Sequence, residues 1–332
     1  MIFSELTALP ELQEVDQVIC ESVRTPAAAL QEMMDHLFSK GGKKLRPLLV
    51  FLAAGLLTQK RSPHKHESLL KSAAAVELIH TASLVHDDII DGAAQRRGNQ
   101  TLHCRWDDHT ATLAGDFLLS RAFNLICSLE QRDKLLPLLA RSVALMCQGE
   151  TRQMSKSFDW NISEQEYLRC NYLKTSQFLA VCCEVGGQIM PALPYQLRAL
   201  REYGFNLGQA FQIVDDILDY TEQPQKLGKP IGSDLNHGLI TLPLIYLLRR
   251  KKRYRGMLRP VLSRRSSLFP VIEEQLHRAV KASDVLQEAS RKAGRCMEKA
   301  QAALQAFPPG PARGMLDRLA ETIISPISAI AG

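Results

Sequence analysis

Residues 68–91 read SLLKSAAAVELIHTASLVHDDIID. The stretch is apolar on almost every face, the pattern of a helix buried on all sides. It ends on three aspartates spaced i, i+1 and i+4: Asp87, Asp88 and Asp91. The same spacing returns in a second apolar stretch as Asp215, Asp216 and Asp219, within DDILD. On a helix, positions i and i+4 share a face, so Asp87 stacks with Asp91 and Asp215 with Asp219. Ionised carboxylates are costly to bury without a cation or a partner. Oxygen-only ligand sets suit a hard divalent ion, Mg²⁺ above all, which commonly binds a few carboxylates together with phosphate oxygens. Two such clusters facing one cavity would trap a diphosphate group.

Outward from these clusters the chain reads as helix after helix, with little strand-like alternation. Helical stretches are expected at 11–39, 47–57, 110–129, 135–153, 163–186, 203–220, 239–250, 284–306 and 315–324. Ser163 with Glu166 makes a capping box. Gly204 and Gly208 would let helices approach closely. The breaks between stretches do not resemble flexible linkers. The expected architecture is all-α, one helical-bundle domain over 1–332 built around a central cavity, with a motif-bearing core at about 40–245 and further helices at 266–332.

Composition limits the alternatives. Of 332 residues, 45% are hydrophobic and 23% charged, the balance of a soluble globular protein. No apolar run is expected to span a membrane. The first nineteen residues carry no Lys or Arg, unlike a signal or transit peptide. The eight cysteines lack CxxC spacing and are expected to be reduced core thiols of a cytoplasmic protein. The net charge of +6 is concentrated at 249–265, RRKKRYRGMLRPVLSRR. That block has a single aromatic, so it does not suggest nucleic acid. It reads either as a solvated loop or as a surface for peripheral contact with anionic membranes.

Basic residues accompany the aspartates, as a diphosphate site requires. Arg96 and Arg97 follow the first cluster and Lys229 the second. GGKKLRP (41–47) sets Lys43 and Arg46 near a helix start, where free N–H groups and the dipole favour an anion. His80 lies two turns before Asp87 on the same face and is a phosphate-donor candidate.

With these segments in view, the chain resembles the trans-isoprenyl diphosphate synthases of the polyprenyl synthetase family, most of all the long-chain members. The matching segments are GGKKLRP (41–47), ELIHTASLVHDDIIDGAAQRRG (77–98), LAGDFLLSRAF (113–123), LKTSQ (173–177), GFNLGQAFQIVDDILDY (204–220), GKPIGSDL (228–235) and TLPL (241–244). The resemblance implies an all-α prenyltransferase that adds isopentenyl diphosphate repeatedly to an allylic diphosphate. It implies Mg²⁺ at Asp87, Asp88, Asp91, Asp215, Asp216 and Asp219, about three ions with substrate bound, with Mn²⁺ able to substitute. Lys43, Arg46, His80 and Arg97 match the isopentenyl diphosphate site. Arg96, Lys174, Thr175, Gln212 and Lys229 match positions that hold the allylic diphosphate or its metals, and Thr175 and Gln212 could turn oxygen dipoles toward a carbocation. A homodimer is also implied. The chain departs from the family pattern at Leu239, where a basic residue is common, and in its SPISAIAG end, which lacks a basic tail.

Product length in this family depends on the residues one or two turns before the first aspartates. Here they are Ala82 and Ser83, too small to form a floor, so a long-chain, all-trans product, such as a quinone side-chain precursor, is expected. The alternatives are a short-chain farnesyl or geranylgeranyl synthase and the catalytic subunit of a heteromeric synthase. A cyclase or head-to-head synthase would not need GGKKLRP, and a non-catalytic subunit would not need six aspartates.

Overall fold

The computed structural model describes residues 9–42, 44–57, 62–96, 98–221, 233–258, 261 and 269–330. Its helices are α1 (Pro10–Ser22), α2 (Ala28–Phe38), α3 (Leu45–Gly55), α4 (Pro63–Asp91), α5 (Leu102–Arg105), α6 (Asp108–Cys127), α7 (Arg132–Ser155), α8 (Glu164–Asn171) and α9 (Gln177–Ile189), followed by α10 (Pro194–Thr221), α11 (Ser233–Asn236), α12 (Leu242–Arg250), α13 (Lys252–Leu258), α14 (Phe269–Lys281), α15 (Val285–Ala303) and α16 (Pro311–Ile324). The fold is all-α, as expected. Among the described residues the strands are β1 (Gln95–Arg96) and β2 (Asn99–Gln100), a two-residue antiparallel pair.

Two compact units emerge. The first takes residues 1–143, 179–201 and 304–319, the second 144–178, 202–303 and 320–332. In the first, α4 is the central member and packs along α6, α1 and α3. Its middle, Leu69 to Ile79, is almost entirely buried, with Ala73, Ala74, Ala75, Val76, Leu78 and Ile79 fully so. Small side chains here let neighbouring helices close in. In the second, α12 packs on α15, α14 and α8.

The local sequence explains the helix boundaries. Ser62 caps α4, accepting from Lys65 N, with Pro63 in the first turn, where its missing N–H is harmless. Asp107 caps α6 by accepting from Thr110 N at 2.7 Å. Gly92 ends α4 in the left-handed region, φ 62°, and Ala93 N returns to Asp88 O at 2.9 Å, a glycine-specific stop.

Several expectations need correction. The single helix expected over 11–39 is two, because Pro26 cannot continue α1 and biases Thr25 away from helical geometry. The stretch at 163–186 is α8, then one π-helical turn, Tyr172–Ser176, then α9. The capping box is made from one side: Ser163 accepts from Glu166 N, while the Glu166 carboxylate turns to Arg152. α13 rises from a stretch in which no helix was expected, while α14 falls within the further helices expected at 266–332. By length and composition α4 does reach that of a membrane span, but 67% of its apolar window is buried within the fold, as in a core helix. Cys20, Cys104, Cys127 and Cys147 are exposed, so only part of the cysteine set belongs to the core.

Candidate functional site

Asp87, Asp88 and Asp91 occupy the last turns of α4. A helix C-terminus carries partial negative charge, which penalises carboxylates and favours a cation. Three carboxylates there are therefore poorly placed for stability alone and well placed for a metal ion. The three are not equivalent. Asp87 is half-buried and Asp91 exposed, whereas Asp88 is buried. Past Gly92 the chain turns back through β1, and Arg96 Nε donates to Asp88 Oδ1 at 2.7 Å. Burial raises the Asp88 carboxyl above its ordinary range, while the Arg96 guanidinium pulls it back.

A cavity of about 320 Å³ flanks this end of α4, with Gly41, Gly42, Lys44, Glu77, Asp88 and Arg96 in its wall. Lys44 caps α3 in the left-handed conformation, φ 49°, an uncommon state for a side-chain-bearing residue and one seen at functional turns. Its ammonium pairs with Asp16; burial lowers its pKa, and nearby Glu77 counters that shift. Arg46 and His80 are both half-buried. Ser83 is partly exposed and donates to His80 O at 2.8 Å, while Ala82 is fully buried. Lys43, Arg97 and Lys229 lie outside the described residues.

In the second unit, Asp215, Asp216 and Asp219 also lie in the last turns of a helix, α10, with the same electrostatic consequence. Asp215 is half-buried; Asp216 and Asp219 are buried. Both Asp216 oxygens are engaged: Tyr167 Oη donates to Oδ2 at 2.6 Å and Gln212 Nε2 donates to Oδ1 at 3.0 Å. Burial, then repulsion from Asp234, pushes the Asp216 carboxyl well above its ordinary range, against those two hydrogen bonds. Gln212 Oε1 in turn accepts from Thr175 Oγ1 at 3.2 Å. Thr175 and Lys174 sit in the π turn, and Lys174 pairs with Glu150. Single π turns recur at functional sites because they re-aim side chains without ending a helix. The structure thus joins three expected residues, Thr175, Gln212 and Asp216, in one chain of hydrogen bonds.

That chain includes one residue that sequence reading missed. Tyr167 is buried, and burial followed by Asp216 drives its phenol well above its ordinary range. The available signal was a tyrosine seven residues before Lys174 in the polar window EQEYLRC.

No group of three or more His, Cys, Asp or Glu side chains among the described residues closes into a metal cage. This agrees with the donor chemistry, since Mg²⁺ keeps several waters and takes one or two carboxylates plus substrate phosphates. Each oxygen-only cluster, at its own helix C-terminus, fits such an ion: Asp87 with Asp91 would be the ligands in the first unit, and Asp215 with Asp219 those in the second.

The basic block is less free than its composition implies. Arg249 pairs with Glu288 at 2.7 Å, and Arg250 pairs with Asp284 and with Glu288 at 2.5 Å. Lys251, Lys252, Arg253 and Arg255 are exposed. Residues 259, 260 and 262–265 lie outside the described residues.

Residues 27–279 match the family model described as polyprenyl synthetase. Octaprenyl diphosphate synthase of Escherichia coli is 33% identical over 325 residues, covering 97% of each chain. The crystal structure of heptaprenyl diphosphate synthase from Staphylococcus aureus superposes with a TM-score of 0.89 at 31% identity, covering 95% of this chain and 97% of that one. A polyprenyl synthase from Caulobacter crescentus, crystallised with calcium and isoprenyl diphosphate, gives 0.89 at 34% identity, with 97% of each chain covered.

Proposed function

Because the chain belongs to the polyprenyl synthetase family, we propose that it condenses isopentenyl diphosphate with an allylic diphosphate, repeatedly, to a long-chain all-trans polyprenyl diphosphate of the kind that supplies quinone side chains. The observation that carries the reaction class is the pair of carboxylate clusters, each at a helix C-terminus with an i, i+4 pair. The observation that favours a long product is the partly exposed Ser83, one turn below Asp87, where a bulky side chain would form a floor.

In this reading Asp87, Asp91, Asp215 and Asp219 hold the ions, about three of them with substrate bound, Mg²⁺ with Mn²⁺ able to substitute. When bound, such ions would supply neutralisation of the charge that builds on the departing diphosphate. Arg96, Lys174 and Lys229 add charged hydrogen bonds to the same group. Thr175 and Gln212 turn oxygens toward the allylic cation left behind, and Lys43, Arg46, His80 and Arg97 hold isopentenyl diphosphate so that its double bond meets that cation. The proton then lost restores an allylic product for the next round. The enzyme works as a homodimer, which sedimentation of the purified protein would reveal; a monomer would refute that part.

The test is to incubate the purified protein with isopentenyl diphosphate, each allylic primer and Mg²⁺, and to size the dephosphorylated products. Products longer than geranylgeranyl diphosphate are expected, with none in excess EDTA. Products ending at farnesyl or geranylgeranyl length would make the chain a short-chain synthase. Failure to condense at all without an added partner would make it the catalytic subunit of a heteromeric one.

A further inference from the structure

Tyr167, Asp216, Gln212 and Thr175 form an ordered relay in which every donor and acceptor is assigned. When ionised, a carboxylate can only accept, and Asp216 meets a donor at each oxygen, the Tyr167 phenol at 2.6 Å and Gln212 Nε2 at 3.0 Å, two hydrogen bonds that favour its ionised form against burial. A primary amide has one nitrogen end and one oxygen end, and its orientation is decided by its neighbours. With the nitrogen drawn to Asp216, the oxygen of Gln212 must lie at the other end, where it accepts from Thr175 Oγ1 at 3.2 Å. Thr175 cannot make that choice, since a hydroxyl serves equally as donor or acceptor. The decision rests with Asp216, and Asp216 is held by Tyr167.

We propose that Tyr167 is a positioning residue for the condensation. It fixes Asp216 as a two-sided acceptor, and Asp216 orients the Gln212 amide so that its oxygen, beside Thr175, is presented to the allylic group. This rests on the reading of Gln212 and Thr175 given above. It also divides the second aspartate cluster: Asp215 and Asp219 would hold the metal, while Asp216 is committed to protein donors and organises the polar wall. The three aspartates of one motif thus do two jobs. The i+1 member lies about 100° around the helix from Asp215 and about 60° from Asp219, on the side where α8 supplies a tyrosine.

The two roles for Asp216 separate experimentally. Tyr167→Phe removes one hydroxyl and keeps the ring. Asp216→Asn keeps an acceptor for Tyr167 but offers an amide nitrogen to Gln212, which favours the flipped amide. Both variants should lose about tenfold or more in kcat, with KM for the allylic diphosphate changed by less than about threefold. Calorimetric titration with inorganic pyrophosphate and Mg²⁺ should give affinities within about twofold of wild type for both, while Asp215→Asn should lose most of that binding. Tyr167→Phe added to Asp216→Asn should change kcat by less than about twofold, since the two act through one relay.

Wild-type kcat in Tyr167→Phe would overturn the proposal. So would a loss of pyrophosphate binding in Asp216→Asn as large as that in Asp215→Asn, which would make Asp216 a metal ligand. If Tyr167→Phe fails to fold, Asp216→Asn carries the same comparison alone. If wild type binds pyrophosphate with Mg²⁺ but condenses nothing with any primer, the reading as a self-sufficient synthase fails instead, and the two failures are told apart by the wild-type control.

Discussion

Gly208 of α10 lies so close to Ser176 that a Cβ on it would sit 2.6 Å from the Ser176 Cα. The obstacle is backbone, so no side-chain rotation relieves it. Ser176 closes the π turn that carries Lys174 and Thr175. Gly208→Ala must therefore push the turn away, at about 1–3 kcal/mol for overpacking. Denaturant unfolding should show that loss, and kcat should fall further than stability alone explains, because Thr175 moves off Gln212. Unchanged kcat in a variant that still folds would mean that the position of the turn is irrelevant to the reaction.

The aspartate clusters and their helices were legible because their signals are local: apolar periodicity, i and i+4 spacing, and Gly92 as a stop. The Tyr167 link was not, since its partner is 49 positions away and only packing brings them together. The π turn left no sign either, because YLKTS is compatible with an ordinary helix. The break after α1 had a local signal in Pro26, which the helix expected over 11–39 ran straight through. For the basic block, sequence counted charges but could not see that Arg249 and Arg250 already face acids on α15 and at its start.

Ser83 and Ala82 now separate as candidates for setting product length. Ser83→Phe enters partly open space, and Ala82→Phe enters a fully buried position. The first should fold and shift products toward farnesyl or geranylgeranyl length, with the initial condensation still active. The second should be destabilised, by about 1–3 kcal/mol or more. Chromatography of the products together with thermal melts decides. An unaltered product from a folded Ser83→Phe would put the floor elsewhere.

The exposed remainder of the basic block gives a membrane prediction. Lys251, Lys252, Arg253 and Arg255 are four neighbouring charges, each worth about 1 kcal/mol close to an anionic surface. The protein should co-sediment with anionic vesicles at low salt and release at high salt. Changing the four to Ala should abolish the effect. Equal binding to neutral vesicles would rule out this electrostatic role.

The thiols should divide by burial. Cys182 and Cys183 are buried, and burial raises both thiols, Cys182 to about 12. The thiolate is the reactive form, so neither should take up maleimide at neutral pH until the chain unfolds. Cys20, Cys104, Cys127 and Cys147 are exposed and should label in the native protein. Mass spectrometry after brief labelling reads this directly, and early modification of Cys182 would contradict its buried setting.

Glu164 ties α8 to α12 and α15, pairing with Lys292 at 2.9 Å and Arg249 at 3.7 Å. Burial raises its pKa, but the hydrogen bond and charge of Lys292, with Tyr246 and Arg249, outweigh that and leave it below its ordinary 4.5. A carboxylate depressed in the folded state stabilises it fully above the unfolded pKa and loses that contribution as pH falls through the folded pKa. Because the pair is partly exposed, the effect is modest, about 0.5–1 kcal/mol. Glu164→Gln should therefore be less stable than wild type by that amount at neutral pH, and the gap should close well below pH 4.5, once the wild-type carboxyl is itself protonated. Urea unfolding of both proteins across that range gives the comparison. A gap that persists undiminished in acid would show that Glu164 acts through packing, not through its charge.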